Sequence, residues 1–325
     1  MASIRRRGKH WRAEICVDGV RKSSTFSTMR DAKAWASEEV TRIKAVSAGG
    51  VPDLPVRYLL DRYGSEVSSK KRGVAAELIR LARLSRDALA DVSLCRLSSA
   101  DLALWRDRRL EYVKSSSVLR DWSLLGHVFS VAVKEWRILK ENPLLSVSRP
   151  RSLPSRDRLI SADEIERVIL ASGYAPDCVD TITARVGAAF LFAIETAMRA
   201  GEICSLRWPM VSGNVAKLAI TKNGFPRQVP LSSQALKILS SLPVVPDDDR
   251  VFRLAASQVD ALFRKIKKRA LIEDLHFHDT RHEAITRLAR RLDVLDLARM
   301  VGIRNLRILM VYYNAKPEDI ALRLG

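Results

Sequence analysis

Phe277-His278-Asp279-Thr280-Arg281-His282-Glu283-Ala284 sets an imidazole and a guanidinium three residues apart in a stretch that reads as the start of a helix. Residues i and i+3 share a helix face, so His278 and Arg281 are presented together. Upstream, Glu195-Thr196-Ala197-Met198-Arg199-Ala200-Gly201-Glu202-Ile203-Cys204 repeats the relation, with Glu202 placed to hold the Arg199 guanidinium. Thr221-Lys222-Asn223-Gly224 puts an ammonium immediately before an Asn-Gly hairpin turn. Leu309-Met310-Val311-Tyr312-Tyr313-Asn314 closes the series with a phenol. His278 follows Arg199 by 79 residues and Tyr312 follows Arg281 by 31. Such a set matches what covalent attack on a phosphodiester needs: fixed cations for the charge that builds on phosphorus oxygens, a proton donor and a nucleophile.

The bulk properties suit that chemistry. The chain has 325 residues, enough for two or three domains, with 47% hydrophobic and 29% charged residues, as in a globular protein. A net charge of +19 exceeds what solubility requires and implies a polyanionic partner. Residues 1–50 alone carry 11 Lys and Arg against 5 Asp and Glu, and later helices stay basic. Charge spread over the whole length favours nucleic acid over a membrane surface, where it would concentrate beside one amphipathic segment. The longest apolar run, Val186 to Ile194, is too short to cross a bilayer. The basic N-terminus has no apolar run after it, so no signal peptide is read, and a cytoplasmic, nucleoid-associated location in a bacterial host is expected. Cys16, Cys95, Cys178 and Cys204 form no C-x-x-C pair, which argues for reduced thiols rather than zinc or a disulfide framework. Asp247-Asp248-Asp249 reads as a solvated loop rather than a metal site.

Working outward, three domains are expected: 1–48, 53–147 and 158–325. In the first, His10–Val17 and Val20–Phe26 form a β-hairpin around Asp18-Gly19, and Thr28 caps a helix carrying Ala32, Trp35, Ala36 and Ile43. A two-stranded ribbon fits a DNA major groove, with Arg5, Arg6, Arg7, Lys9 and Arg12 as phosphate contacts. Ala48-Gly49-Gly50-Val51-Pro52 is a linker. Four segments, 54–63, 74–90, 98–112 and 115–140, have helical apolar spacing and form a bundle stopped at Glu141-Asn142-Pro143. Lys70, Lys71 and Arg72 are candidate DNA contacts of this bundle. A second, basic linker runs from Ser146 to Asp157. The third domain mixes helices with short strands at 215–221 and 228–230. The expected fold is therefore multidomain and mainly α: a small N-terminal β-hairpin/helix module, a helical bundle and an α+β C-terminal domain.

The four quoted motifs, in this order and spacing, resemble those of the tyrosine recombinase (phage integrase) family, and the resemblance covers the whole third domain. It implies that Arg199 and Arg281 clamp the phosphate, Glu202 orients Arg199, and His278 helps activate the tyrosine. Lys222 is implied to be the general acid toward the departing 5′ oxygen, and Tyr312 rather than Tyr313 the nucleophile. The downstream Lys316-Pro317-Glu318-Asp319 supports that choice of tyrosine. The resemblance also implies an arm-binding module, a core-binding bundle, double-stranded DNA attachment sites and a homotetramer on DNA. Host DNA-bending proteins and an excisionase are partners of the same kind. No metal or cofactor is expected.

One position departs from the family pattern. Met300-Val301-Gly302-Ile303 has isoleucine where His or Trp is usual, and isoleucine cannot donate a hydrogen bond to phosphate. Arg304 and Asn305 are the neighbours able to supply that donor. Two other readings stand beside the recombinase: a non-catalytic DNA-binding protein on a degenerate recombinase fold, and a type IB topoisomerase.

Overall fold

The computed structural model describes residues 2–17, 20–47, 50–71, 73–152, 156–219, 226–310 and 312. The chain divides into two compact units, Met1–Ser155 and Arg156–Gly325.

The first unit holds two separate apolar clusters. One belongs to β1 (Ala2–Arg7), β2 (His10–Val17), β3 (Val20–Phe26) and α1 (Met29–Ser47). The strands form one antiparallel sheet in the order β1-β2-β3, so the expected hairpin is a three-stranded sheet. Its extra strand was illegible because Ser3-Ile4-Arg5-Arg6-Arg7 has almost no apolar alternation. β2 supplies the pattern: Ala13, Ile15 and Val17 are buried against Ala32, Ala36 and Ile43 of α1. The Thr28 hydroxyl accepts from the Asp31 amide at 3.1 Å, capping α1 as its sequence predicts.

The second cluster is the bundle of α2 (Val56–Glu66), α3 (Val74–Leu84), α4 (Ser99–Tyr112) and α5 (Ser115–Lys134). The segment expected as one helix over 74–90 breaks after Leu84 and resumes as a 3-10 turn capped by Asp87. α5 stops at Lys134, short of the expected 140, and Arg137 then takes a positive φ of 54°. Tyr58 of α2 donates to the buried carboxylate of Glu39 on α1 at 3.2 Å.

The second unit contains α6 (Ala162–Ser172), α7 (Ile182–Thr196), α8 (Ala200–Cys204), β4 (Val211–Ser212), β5 (Val215–Leu218) and β6 (Arg227–Pro230). It continues with α9 (Ser233–Ser240), α10 (Ala256–Arg269), α11 (Asp279–Leu288), α12 (Val294–Val301) and α13 (Leu306–Leu309). α7 is buried on nearly every face, which explains its uninterrupted apolar run. Around it lies a core with stacked Phe190 and Phe263 and with Phe277 edge-on to Phe263. β4, β5 and β6 make a small antiparallel sheet in that order, with Leu218 opposite Arg227. A smaller cluster gathers Ala197, Ala284, Ile285, Ala289, Leu297, Val301 and Leu309, with Ile303 and Tyr312 packed against it.

Candidate active site

The site is assembled where α7 ends. Ala197 closes that helix at a left-handed φ of 54°, a conformation that costs a non-glycine residue about 1–2 kcal/mol. The turn brings Arg199 to the N-cap of α8 and Glu202 to its third position. The Arg199 amide donates to Glu202 Oε2 at 2.8 Å and its Nη1 to Oε1 at 3.0 Å, so Glu202 orients Arg199 as the i, i+3 spacing implies. The Arg199 side chain keeps 23% exposure, which leaves it accessible to a ligand.

Arg281 lies in the first turn of α11 and is buried. Its Nη1 donates to the Ala197 carbonyl and its Nη2 to the Val301 carbonyl at 2.7 Å. The strained Ala197 peptide thereby gains a charged donor. Burial pushes the Arg281 pKa down to about 10, helped by repulsion from Arg199 and Arg227 and opposed by Glu202 and Tyr312. The guanidinium is still charged at neutral pH. The Tyr312 ring also packs on His282, 4.7 Å between centroids and tilted by 53°. The packing partner of His282 is thus the candidate nucleophile.

His278 is exposed at the N-cap of α11. The first turn of that helix is held from the chain entering the unit: the Arg156 guanidinium grips Asp279 at 2.7 and 2.9 Å and Asp274 at 2.9 and 3.1 Å. The Ile160 amide donates to the buried Glu283 carboxylate at 2.9 Å. His276, by contrast, is exposed, 3.8 Å from Asp279. Lys222 and Tyr313 lie outside the described residues.

A residue not singled out by the sequence completes the cluster. Arg227, first in β6, has a side chain only 6% exposed. Its Nη2 donates to Glu202 Oε2 at 2.8 Å, and its Nη1 to Oε1 at 3.1 Å and to the Val301 carbonyl at 3.2 Å. The signal available was a lone arginine amid the alternation of Arg227-Gln228-Val229-Pro230, which reads as an ordinary strand. Ile303, like Tyr312, packs on the smaller apolar cluster. Of the proposed substitute donors, Asn305 caps α13, its side chain accepting from the Arg307 amide at 3.1 Å, while Arg304 is exposed.

The DNA-contact candidates fall into three groups. Arg5, Arg6, Arg7 and Lys9 are exposed on β1 and the turn after it, and Lys70 is exposed in the bundle. Arg12 pairs with Glu14 at 2.9 Å, and the Lys71 ammonium is shared between Glu77 at 2.8 Å and the Tyr63 hydroxyl at 2.7 Å. Arg72 lies outside the described residues.

Arg199, Arg227, Arg281 and Glu202 thus converge in one cluster near Tyr312, an arrangement whose net positive charge can attract an oxyanion. Residues 158–319 match the family model of the phage integrase family. A putative integrase/recombinase of Haemophilus influenzae is 43% identical over 324 residues, covering 97% of this chain and 87% of that protein. A shufflon-specific DNA recombinase of Escherichia coli is 33% identical over 277 residues, covering 82% of this chain and 70% of that one. Among solved structures, a lambda integrase tetramer bound to a Holliday junction has a TM-score of 0.67 at 16% identity, covering 95% of this chain and 93% of that chain. The fold is similar to that of lambda integrase. The chain belongs to the phage integrase family, the tyrosine recombinases.

Proposed function

We propose that this protein is a site-specific DNA recombinase, an integrase that cuts and rejoins DNA through a covalent 3′-phosphotyrosine. Tyr312 Oη attacks the phosphorus as His278 takes up the phenol proton, and the bond to the 5′ oxygen breaks to give a 5′-hydroxyl end. Lys222 supplies the proton to that leaving oxygen. Arg199 and Arg281 bind the non-bridging oxygens, whose charge rises during attack, and His278 assists at the phosphate. The ester retains the bond energy, so a 5′-hydroxyl from the partner strand can reverse the step without a nucleotide or metal. The substrates are duplex attachment sites of a phage-like element, exchanged within a homotetramer, with host bending proteins and an excisionase as accessory partners. The exposed arginines of β1 contact arm DNA. The observation that carries this reading is the convergence of Arg199, Glu202 and Arg281 next to Tyr312.

A nicked suicide duplex tests it, because loss of the short downstream strand traps the covalent complex. The parent protein forms an SDS-resistant adduct, Tyr312→Phe forms none, and Tyr313→Phe still forms it. Ile303, an apolar residue packed where a donor is usual, favours one alternative, a DNA-binding protein without catalysis. A parent that binds its site and yields no adduct would establish that alternative.

A further inference from the structure

We propose that Arg227 is a positioning residue for the reaction assigned above: it joins Glu202 to the end of α12 and so fixes Arg199 and Arg281 relative to each other. The inference rests on the recombinase reading. Arg227 is poorly placed to hold the phosphate itself: whereas the terminal nitrogens of Arg281 rest on backbone carbonyls, both of those of Arg227 are on the Glu202 carboxylate, so its charge is already paired inside the protein.

A carboxylate offers about four acceptor positions. On Glu202, Oε1 takes Nη1 of Arg199 and Nη1 of Arg227, while Oε2 takes the Arg199 amide and Nη2 of Arg227. Arg199 therefore has only one guanidinium nitrogen on Glu202 and keeps the others for substrate. Were Arg227 removed, two acceptor positions would open, and Glu202 would draw Arg199 into a bidentate grip of its own.

The second attachment is the Val301 carbonyl, which also accepts from Arg281 Nη2 at 2.7 Å. Val301 ends α12, where carbonyls lack partners within the helix and the helix dipole is negative. Two guanidiniums satisfy this one acceptor, so the positions of Arg227 and Arg281 are linked through it. Gly302 belongs to the same fitting. A β-carbon there would lie 2.8 Å from Arg227 Nη1. Arg227 also opens β6 five residues after Lys222, anchoring the strand that follows the Lys222 turn. Finally, three guanidiniums against one carboxylate leave a net charge of +2, one more than a ground-state phosphodiester neutralises and available to the charge that develops on attack.

The test compares the full-length parent with Arg227→Met, Arg227→Lys, Glu202→Gln and the Arg227→Met/Glu202→Gln double variant. Each is measured for single-turnover adduct formation on the suicide duplex, for affinity toward the same DNA and for thermal melting. Arg227→Met slows adduct formation by about 100- to 1,000-fold while changing affinity by less than about 3-fold, the separation expected of a residue acting on the transition state. Arg227→Lys keeps the charge but cannot span both Glu202 oxygens and Val301, and stays at least about 10-fold below the parent. The double variant falls within about 3-fold of the slower single variant, because both changes cut the same link. Parental rates in Arg227→Met or Arg227→Lys overturn the proposal, as does a parallel loss of affinity and cleavage. If Arg227→Met does not fold, Arg227→Lys and Glu202→Gln decide on the same criteria. A parent without adduct overturns the recombinase reading and this proposal with it, whereas a competent parent matched by Arg227→Met overturns this proposal alone.

Discussion

Gly302→Ala is a single-methyl perturbation whose cost can be worked out from the geometry of one turn. Gly302 ends α12 at φ 68° and ψ 40°, and the new β-carbon would lie 2.8 Å from Arg227 Nη1 and 3.1 Å from its Cδ. The left-handed backbone costs alanine about 1–2 kcal/mol. Arg227 Nη1 cannot retreat without releasing Glu202 Oε1 and the Val301 carbonyl, a loss of about 1.5–3 kcal/mol for hydrogen bonds to a charged group. The stiffer unfolded chain returns about 0.4–1 kcal/mol. The balance is a destabilisation of about 2–4 kcal/mol, and for a unit of this size each kcal/mol lowers Tm by about 2–4 °C. The expected drop is therefore on the order of 5–15 °C, read by circular dichroism, with slower adduct formation. Gly173→Ala is the control: Gly173 has φ 70° but no atom within 4 Å of the new carbon, so it bears the backbone cost alone. If Gly302→Ala melts with Gly173→Ala and cleaves at the parental rate, the claim that Arg227 is locked in place is wrong.

Further outcomes follow from other parts of the structure. Ile303→His restores a donor beside Tyr312 and raises the single-turnover cleavage rate by about 10-fold or more; an unchanged rate means that another group already serves that oxygen. Arg156→Ala strands the buried Asp279 carboxylate, lowers stability by about 1–3 kcal/mol and slows cleavage, since α11 carries His278 and Arg281; a melt identical to the parent's would refute the strap. Burial pushes the Cys204 thiol up to about 11, whereas Cys16, Cys95 and Cys178 are exposed. A disulfide reagent at pH 8 should titrate three thiols in the native protein and a fourth only in denaturant. Glu39 is subject to burial, which raises its pKa, but Arg42 and Lys22 outweigh it and hold the carboxyl below its ordinary value. A depressed folded pKa stabilises above the unfolded value, and that stability is lost as pH falls through the folded one. The N-terminal module should therefore loosen in acid below about pH 4.5, and Glu39→Gln should remove that dependence in a melting series.

The periodic parts of the fold were legible because their burial is one-sided. β2 alternates, α1 and α5 repeat at three and four, and α7 is apolar from Val186 to Ile194 because it is enclosed. β1 was not legible, since an edge strand of arginines is fixed by its pairing with β2 rather than by its own pattern. The breaks after Leu84 and Lys134 were missed because apolar residues continue past both helix ends into the bundle core. Arg199, Glu202, His278 and Arg281 were legible through short motifs that resemble the family's, each with its members three residues apart and so readable in one dimension. Arg227 was invisible because its partners, Glu202 and Val301, are 25 and 74 residues away. Nothing nearby distinguishes it from the chain's many other arginines.

Tyr312 rests on a different footing from the clamp. Arg199 and Glu202 sit on the large phenylalanine-rich core around α7, while Tyr312 leans on the small cluster in which three of seven buried members are alanines. Little greasy surface is hidden there, so detaching α13 costs far less than opening the domain. A nucleophile that must bond to DNA, wait and let go gains from this division: its perch can loosen and re-form while the cradle for the phosphate keeps its shape. Amide exchange should be quicker along α13 than along α12 and slowest in α7.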